Sequence, residues 1–445
     1  MNRALGALAI AAATAMPPTA TAQAVASSEW LRRVADEADG DLLRHVVKPR
    51  YPRSVERERG GFHANYDRAW TARTDEALFI VYQARMTWLP AQIALSRPAL
   101  REEQLGYVRH GVAFLEKVFW DNEHGGFHDW LRNDGSPDPE RSAVKSAYGQ
   151  AFAVYALATA YRATGDAATL DLAKRGFRFI EDKYRDDPRP GYLGAVDRQG
   201  RRLPHDPDDV SPPLVAIGLP AAWKAMNPHI HLLEAYAELL RAWPDPLLRR
   251  RTQELLCFVR DRLFVEPGAL HILLTPEGAP VPGLDSFGHD IETAYLLLEA
   301  EEALGVSHDP KTARAARMLV DHTLAWGFDT KTGQLFESGS ALGPVHDRSI
   351  QWWAQYEALN ALSLMHARDG ARTPKYAEAF ARAWSWTRER LLDPEHGGVY
   401  QGVDEHGKVN PTKSQNWFAG YHTGRALLLI ADRFRALAEA PAAKK

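Results

Sequence analysis

The sequence predicts an all-α fold: an (α/α)6 barrel of six inner and six outer helices with short hairpins in its loops. Three observations point there. A glycine-led turn recurs at Gly60-Gly61-Phe62, Gly125-Gly126-Phe127, Gly191-Tyr192, Gly268-Ala269-Leu270, Gly333-Gln334-Leu335 and Gly397-Gly398-Val399, in steps of about 65 to 77 residues. A repeat of that period overrides the two or three domains that 445 residues would otherwise allow. Each cycle holds two helical patterns, one apolar nearly all round and one with a charged face, which are the marks of a buried and a surface helix. The buried class also carries polar residues suited to a shared central cavity, which sets a closed ring apart from an open helical solenoid.

At the start of the chain, Arg3, the apolar run Ala4–Met16, Pro17-Pro18 and Ala22-Gln23-Ala24 read as a secretory signal over residues 1–24. A single catalytic domain over 25–445 then acts in the periplasm or outside the cell. The apolar run is too short to span a bilayer and nothing later is long enough, so no membrane is expected for the mature form. Ser27 or Ser28 caps an amphipathic helix that reaches Val47. Helices follow over Thr74–Leu95 and Arg101–Trp120. The later inner helices are placed around Ala147–Tyr161, His231–Leu240, His289–Glu299, Trp352–Met365 and Tyr421–Ile430. Their outer partners include Leu170–Asp182, Leu247–Arg262 and Lys311–Trp326. The proline-rich interval between Arg185 and Lys224 has few helical signals and leads into the His231 helix, so it is expected to form a wall or lid.

Composition narrows the function. Hydrophobic residues make up 45% of the chain, ample for a large core, and the formal charge of −3 comes with no basic run. Nucleic acid is therefore not an expected partner. Cys257, the lone cysteine, sits in a helical pattern and is expected to be a small buried hydrophobe.

The inner helices carry Gln83, Arg85, Tyr148, Gln150, Asn227, His231, Glu234, His289, Glu292, Trp353, Gln355, Glu357, Trp417, Tyr421, His422 and Arg425. Charged residues are rarely buried without a partner or a task. His231 and Glu234, like His289 and Glu292, are three apart and share a helix face. Three histidines on three buried helices make an acid–base site, since imidazole titrates near neutrality. A metal centre is one rival, although the order His-x-x-Glu reverses that of carboxylate-bridged di-metal bundles. A glycosidase using two of Glu234, Glu292 and Glu357 is another, and it leaves the histidines without a role. A glycan-binding barrel without catalysis is the third.

The segments Gln83-Ala84-Arg85, Tyr148-Gly149-Gln150, Asn227 to Glu234, Gly288-His289-Asp290-Ile291-Glu292, Trp352 to Glu357 and Trp417 to Arg425 together resemble the N-acylglucosamine 2-epimerase superfamily, and within it the cellobiose 2-epimerases. The resemblance implies an (α/α)6 barrel that epimerises C2 of a reducing-end glucose or mannose with no metal or cofactor. It implies that His289 and His422 are the two acid/bases, exchanging the C2 proton through an enediolate, while His231 assists ring opening. Arg85, Tyr148 and Asn227 are implied to surround the reacting sugar. Glu234, Glu292 and Glu357 bind hydroxyls or orient the histidines, and Trp353 and Trp417 wall the subsites. The expected partner is a small mono- or disaccharide, and the expected assembly a monomer or homodimer. Tyr295 stands where the disaccharide enzymes carry Trp, and Phe418-Ala419-Gly420 replaces a Lys-x-Pro. These departures leave a mannose 2-epimerase or a mannose/fructose isomerase open as alternatives.

Overall fold

Helix formation begins at Ser27, whose hydroxyl accepts the Trp30 N–H and caps α1 (Ser28–Asp41). The helix does not stop at Val47. A π-helical segment, Leu42–Val47, carries it into Lys48–Ser54, where Pro49 falls in a first turn that needs no amide donor. The structure is a computed structural model and describes residues 27–73, 76–187, 189–203, 221–306 and 308–440. The expected signal segment and Pro188, Pro204, Pro207, Pro212, Pro213 and Pro220 of the expected lid lie outside the described residues.

Among the described residues, eleven further α-helices follow in strict alternation. The inner ones are α2 (Ile80–Ser96), α4 (Ala147–Thr164), α6 (Met226–Ala242), α8 (Phe287–Ala303), α10 (Trp352–Asp369) and α12 (Tyr421–Glu439). The outer ones are α1, α3 (Arg101–Phe114), α5 (Ala167–Lys183), α7 (Pro246–Phe258), α9 (Pro310–Trp326) and α11 (Pro374–Arg390). Each inner helix packs on the next inner helix, α12 returns to α2, and α12 also covers α1, so the ring closes. The fold is the expected (α/α)6 barrel. Among the described residues, no helix is long and apolar enough to cross a membrane.

The α2 helix starts later than the expected Thr74, because Leu78–Phe79 is a strand. Such strands recur. The one feeding an inner helix pairs antiparallel with the one leaving the following outer helix, as in Leu78–Phe79 with Trp130–Leu131 and Asp285–Ser286 with Ser338–Ser340. Small sheets thus rim the barrel at the N-terminal ends of the inner helices. The expected hairpins are tighter features, the glycine turns themselves, bridged at Val55/Phe62, Trp120/Phe127, Arg185/Tyr192, Phe328/Leu335 and Leu392/Val399.

In four of the inner helices, α2, α4, α6 and α10, the fourth residue clasps such a turn. Gln83 accepts the Phe62 N–H at 2.8 Å and donates to its carbonyl at 2.7 Å; Gln150 does the same to Phe127. His229 accepts the Tyr192 N–H at 3.0 Å, and Gln355 spans Leu335 and Gly333. Gln83, Gln150 and Gln355, grouped by sequence with the cavity residues, therefore belong to the scaffold. Buried ion pairs reinforce the rim, with Lys145 on Asp121 at 2.9 Å, Lys224 on Asp186 at 2.5 Å and Lys413 on Asp393 at 2.9 Å. Cys257 is only half-buried, on the outward side of α7, where the Gln253 amide donates to its sulfur. The all-buried expectation fails there because α7 is an outer helix.

Candidate active site

Counted from the first residue of each inner helix, the second, sixth and ninth positions share one face, since steps of four and three each make about one turn. The second positions hold Tyr148, Asn227, Gly288, Trp353 and His422; the sixth hold Arg85, Phe152, His231, Glu292 and Glu357; the ninth hold Trp88, Tyr155, Glu234 and Tyr295. This face looks onto the barrel axis. At the rim end it lines a cavity of about 320 Å³ with Arg85, Tyr148, Asn227, His231, His289, Glu292, Trp353 and His422, joined by Trp417 from the loop before α12. Glu234 and Glu357 lie beneath, both buried. All eleven site residues named from the sequence are thus brought together.

His289 is the exception to the register, at the third position of α8. Gly288 before it leaves room for the Trp353 ring, because a Cβ there would lie 2.5 Å from Trp353 Cη2. The Trp353 ring packs against two imidazoles, with centroids 4.7 Å from His289 and 5.6 Å from His422. The two rings are therefore at one mouth, no further apart than the sum of those lengths.

Arg425 organises the floor. Its Nη1 donates to Glu234 and Tyr421 through short bonds, and its Nη2 donates to Glu292 Oε1 at 2.6 Å and Glu357 Oε1 at 2.8 Å. Glu292, Glu357 and His422 are near enough to hold a metal ion, but the Arg425 guanidinium already stands between the two carboxylates. The three glutamates share this one cation, so no two of them form an independent pair to flank a glycosidic bond.

The floor fixes the imidazoles. His231 Nδ1 is 2.9 Å from Glu234 Oε2, and His422 Nδ1 is 2.6 Å from Glu357 Oε1. A carboxylate can only accept, so each Nδ1 carries the proton and Nε2 is left as the basic nitrogen. His289 Nδ1 meets Ser286 Oγ at 2.7 Å. Burial lowers the pKa of all three imidazoles, to about 3 at His289 and His422, with Glu357 opposing the shift at His422. Burial also pushes the three carboxyls up. Arg425 outweighs it at Glu234 and Glu357, which stay below the usual range, whereas burial and the Glu357 charge raise Glu292. Arg85 adds a cation at the wall, donating to Tyr148 Oη at 2.9 Å and to the Trp417 carbonyl at 3.2 Å.

The rim supplies lining residues that the sequence did not single out: Glu337, Gln351, Trp352, Gln401 and Gln415. Glu337 and Gln401 each lie two residues beyond the apolar residue of a glycine turn, Leu335 and Val399. The repeat position was the available signal. Burial and Asp347 push the Glu337 carboxyl up to about 7. Tyr295 is part of the floor rather than the cavity wall, with its hydroxyl donating to Glu357 Oε2 at 2.6 Å. Phe418 is buried against Trp352, with ring centroids 4.1 Å apart. Neither departure from the family pattern alters the cavity lining.

Residues 60–426 match the model of a family described as N-acylglucosamine 2-epimerase (GlcNAc 2-epimerase). The chain is 27% identical over 361 residues to the cellobiose 2-epimerase of Dictyoglomus turgidum, which covers 80% of this chain and 87% of that relative. The solved cellobiose 2-epimerase of Spirochaeta thermophila superposes with a TM-score of 0.81 at 30% identity, over 92% of this chain and 98% of the other. A solved D-mannose isomerase shares the fold with a TM-score of 0.75 at 19% identity, over 92% and 98%.

Proposed function

The chain belongs to the N-acylglucosamine 2-epimerase family and is a carbohydrate epimerase, and from that premise we propose that it interconverts reducing-end glucose and mannose in a β-1,4-linked disaccharide of the cellobiose or mannobiose type. The observation that carries this reading is the pair His289 and His422, both packed against Trp353 and both opening onto one cavity. Inverting a carbon requires a proton removed from one face and returned to the other, which two bases at one mouth can do and a single base cannot.

His231, held by Glu234, shifts the proton that opens the pyranose to the aldehyde. One catalytic imidazole then takes the C2 proton through Nε2, and the electrons of the C2–H bond move into an enediolate over C1 and C2. The other imidazole passes a solvent-derived proton to C2 from the opposite side, and the first then releases the proton it took to solvent. Each well-placed acid or base contributes roughly 10² to 10⁴ in rate. Arg85 places positive charge where the enediolate oxygens develop theirs. The buried Asn227 Oδ1, Glu292 Oε2 and Glu337 Oε2 have no hydrogen-bond partner among the described residues, and a polyhydroxylated ligand supplies donors to all three.

The disaccharide preference rests on the rim. A cavity of about 320 Å³ is at the small end for ligand pockets. Gln351, Gln401 and Gln415 extend its polar lining outward beside Trp417, where a second ring would lie. Incubation with cellobiose, mannobiose, glucose and mannose, followed by chromatography, tests the preference. Faster turnover of the disaccharides supports it; conversion of mannose to fructose with the disaccharides untouched replaces it with the isomerase reading. The signal-like residues 1–24 support export to the periplasm. Recovery of a chain starting near Val25 from that fraction is the expected result, and a cytoplasmic chain that keeps Met1 refutes it.

A further inference from the structure

On the outer flank of α8 lies a polar cluster that epimerisation does not use. Asp285 stands on the strand feeding α8, Asp290 in its first turn and His322 on α9, with exposures of 2%, 0% and 4%. His322 Nδ1 is 3.8 Å from Asp285 Oδ2 and 3.9 Å from Asp290 Oδ2, too far for a hydrogen bond. Both oxygens of each carboxyl group and His322 Nδ1 are buried; the two carboxyls face each other, with the Ser286 N–H near Asp285 and the Leu270 N–H near Asp290, but no donor reaches them at full hydrogen-bond geometry and His322 Nδ1 has no partner among the described residues. Among those residues, His322 is also the only ion-pair partner of either aspartate.

The internal repeat shows why this is anomalous. The fourth residue of α2, α4, α6 and α10 is Gln83, Gln150, His229 or Gln355, each a neutral clasp on a glycine turn. In α8 it is the carboxylic acid Asp290, which faces the Leu270 N–H of its own glycine turn but has no amide to answer the turn's carbonyl. Two residues before α4 and α6 stand Lys145 and Lys224, each neutralising a buried aspartate. Two residues before α8 stands Asp285, so the repeat that needs a cation has lost its own. Burying unneutralised charge costs several kcal/mol per ion.

The imidazole supplies the second indication. His322 Nε2 lies 2.9 Å from the Ala341 carbonyl, which can only accept, so Nε2 carries the proton and Nδ1 aims a lone pair at the two carboxyls. A histidine whose far nitrogen donates to a backbone carbonyl while its near one faces carboxylates has the orientation of a metal ligand. One donor atom from each of the three residues lies within 4.8 Å of the others. Small side-chain rotations bring them to a common ion at roughly 2.0–2.2 Å.

We propose that Asp285, Asp290 and His322 bind one divalent first-row transition-metal ion, Zn²⁺ or Mn²⁺, as a structural tie between the catalytic helix and the outer wall. Two carboxylates balance its charge, and one imidazole with two oxygens suits this class of ion. The ion takes no part in proton transfer. It fixes the strand that carries Ser286, whose hydroxyl orients His289. The competing state is a carboxyl pair sharing one proton, toward which burial and the Asp285 charge push Asp290.

The test is metal content by mass spectrometry, together with Tm, for the full chain stripped with chelator and reloaded separately with Zn²⁺, Mn²⁺, Mg²⁺ or Ca²⁺. The expected result is one Zn²⁺ or Mn²⁺ kept per chain after desalting, a Tm raised by several degrees, and loss of both effects in Asp290→Asn and His322→Gln. These readouts do not depend on activity, so they stand apart from the proposed reaction. Equal metal retention by the variants overturns the proposal, as does retention of only Mg²⁺ or Ca²⁺. An Asp290→Asn chain as stable as the wild type under every metal condition identifies the shared-proton pair instead.

Discussion

Replacing Glu357 by Gln keeps the side chain's volume and removes one negative charge from beneath His422. An amide oxygen in the place of Oε1 still accepts from His422 Nδ1 and Arg425 Nη2, now 2.6 and 2.8 Å away, so the neutral imidazole keeps its tautomer. What is lost is the charge that stabilises His422 as it becomes a cation in the transition state. A hydrogen bond to a charged group is worth about 1.5–3 kcal/mol, against roughly 1 for a neutral one. The difference is about 0.5–2 kcal/mol, so at 1.36 kcal/mol per decade kcat should fall roughly 2-fold to 30-fold while KM barely moves. The fold should survive, because Arg425 keeps Glu234 and Glu292, and Glu292 ionises more readily once the neighbouring charge is gone. The assay is initial-rate kinetics on cellobiose for Glu357→Gln, His422→Ala and the double variant, with Tm for each. If Glu357 acts through His422, the double variant is no slower than His422→Ala. A raised KM with kcat intact, or fully additive losses, refutes the reasoning.

His229→Gln installs the clasp that α2, α4 and α10 already use. His229 is held neutral by burial, its pKa lowered to about 3, so its stabilising effect is full above the unfolded value near 6.5 and is lost as pH falls towards 3. Relative to wild type, the variant should gain up to about 1.4 kcal/mol per pH unit below 6.5; parallel Tm curves between pH 4 and 8 contradict this. Glu337→Gln should raise KM for the disaccharide and spare kcat, since Glu337 lines the rim rather than the floor; an unchanged KM removes it from the second sugar's site. Gly288→Ala places a methyl 2.5 Å from the Trp353 ring that packs against both catalytic imidazoles. Turnover should fall by about 10²-fold with Tm lowered only modestly, and near wild-type rates would show that Trp353 need not hold its place.

The barrel was legible because each cycle repeats the same physical demand: a glycine turn, then a helix that must be apolar all round. The site was legible because His231, Glu292 and Glu357 interrupt that apolar surface at equivalent positions. The same logic misassigned Gln83, Gln150 and Gln355, since a polar residue on a buried helix can serve either the cavity or a neighbouring turn, and only direction tells them apart. Glu337, Gln351 and Gln401 escaped notice because rim strands two or three residues long carry too little pattern to reveal which side faces the axis. Arg425 was seen as polar, but its place among three glutamates follows from the ring closing α12 onto α2. The first helix was expected to reach Val47, but a π-helical segment followed by a fresh first turn at Pro49 carries it on to Ser54.

The most direct measurement is turnover of cellobiose in heavy water, with the position of deuterium read by nuclear magnetic resonance. Two solvent-exchanging imidazoles on opposite faces predict one deuterium at C2 of the newly formed reducing-end mannose, with no labelled product from His422→Ala. Epimer formed without solvent deuterium, or deuterium found only at C1 of a fructose-ended product, contradicts exchange at C2 by His289 and His422.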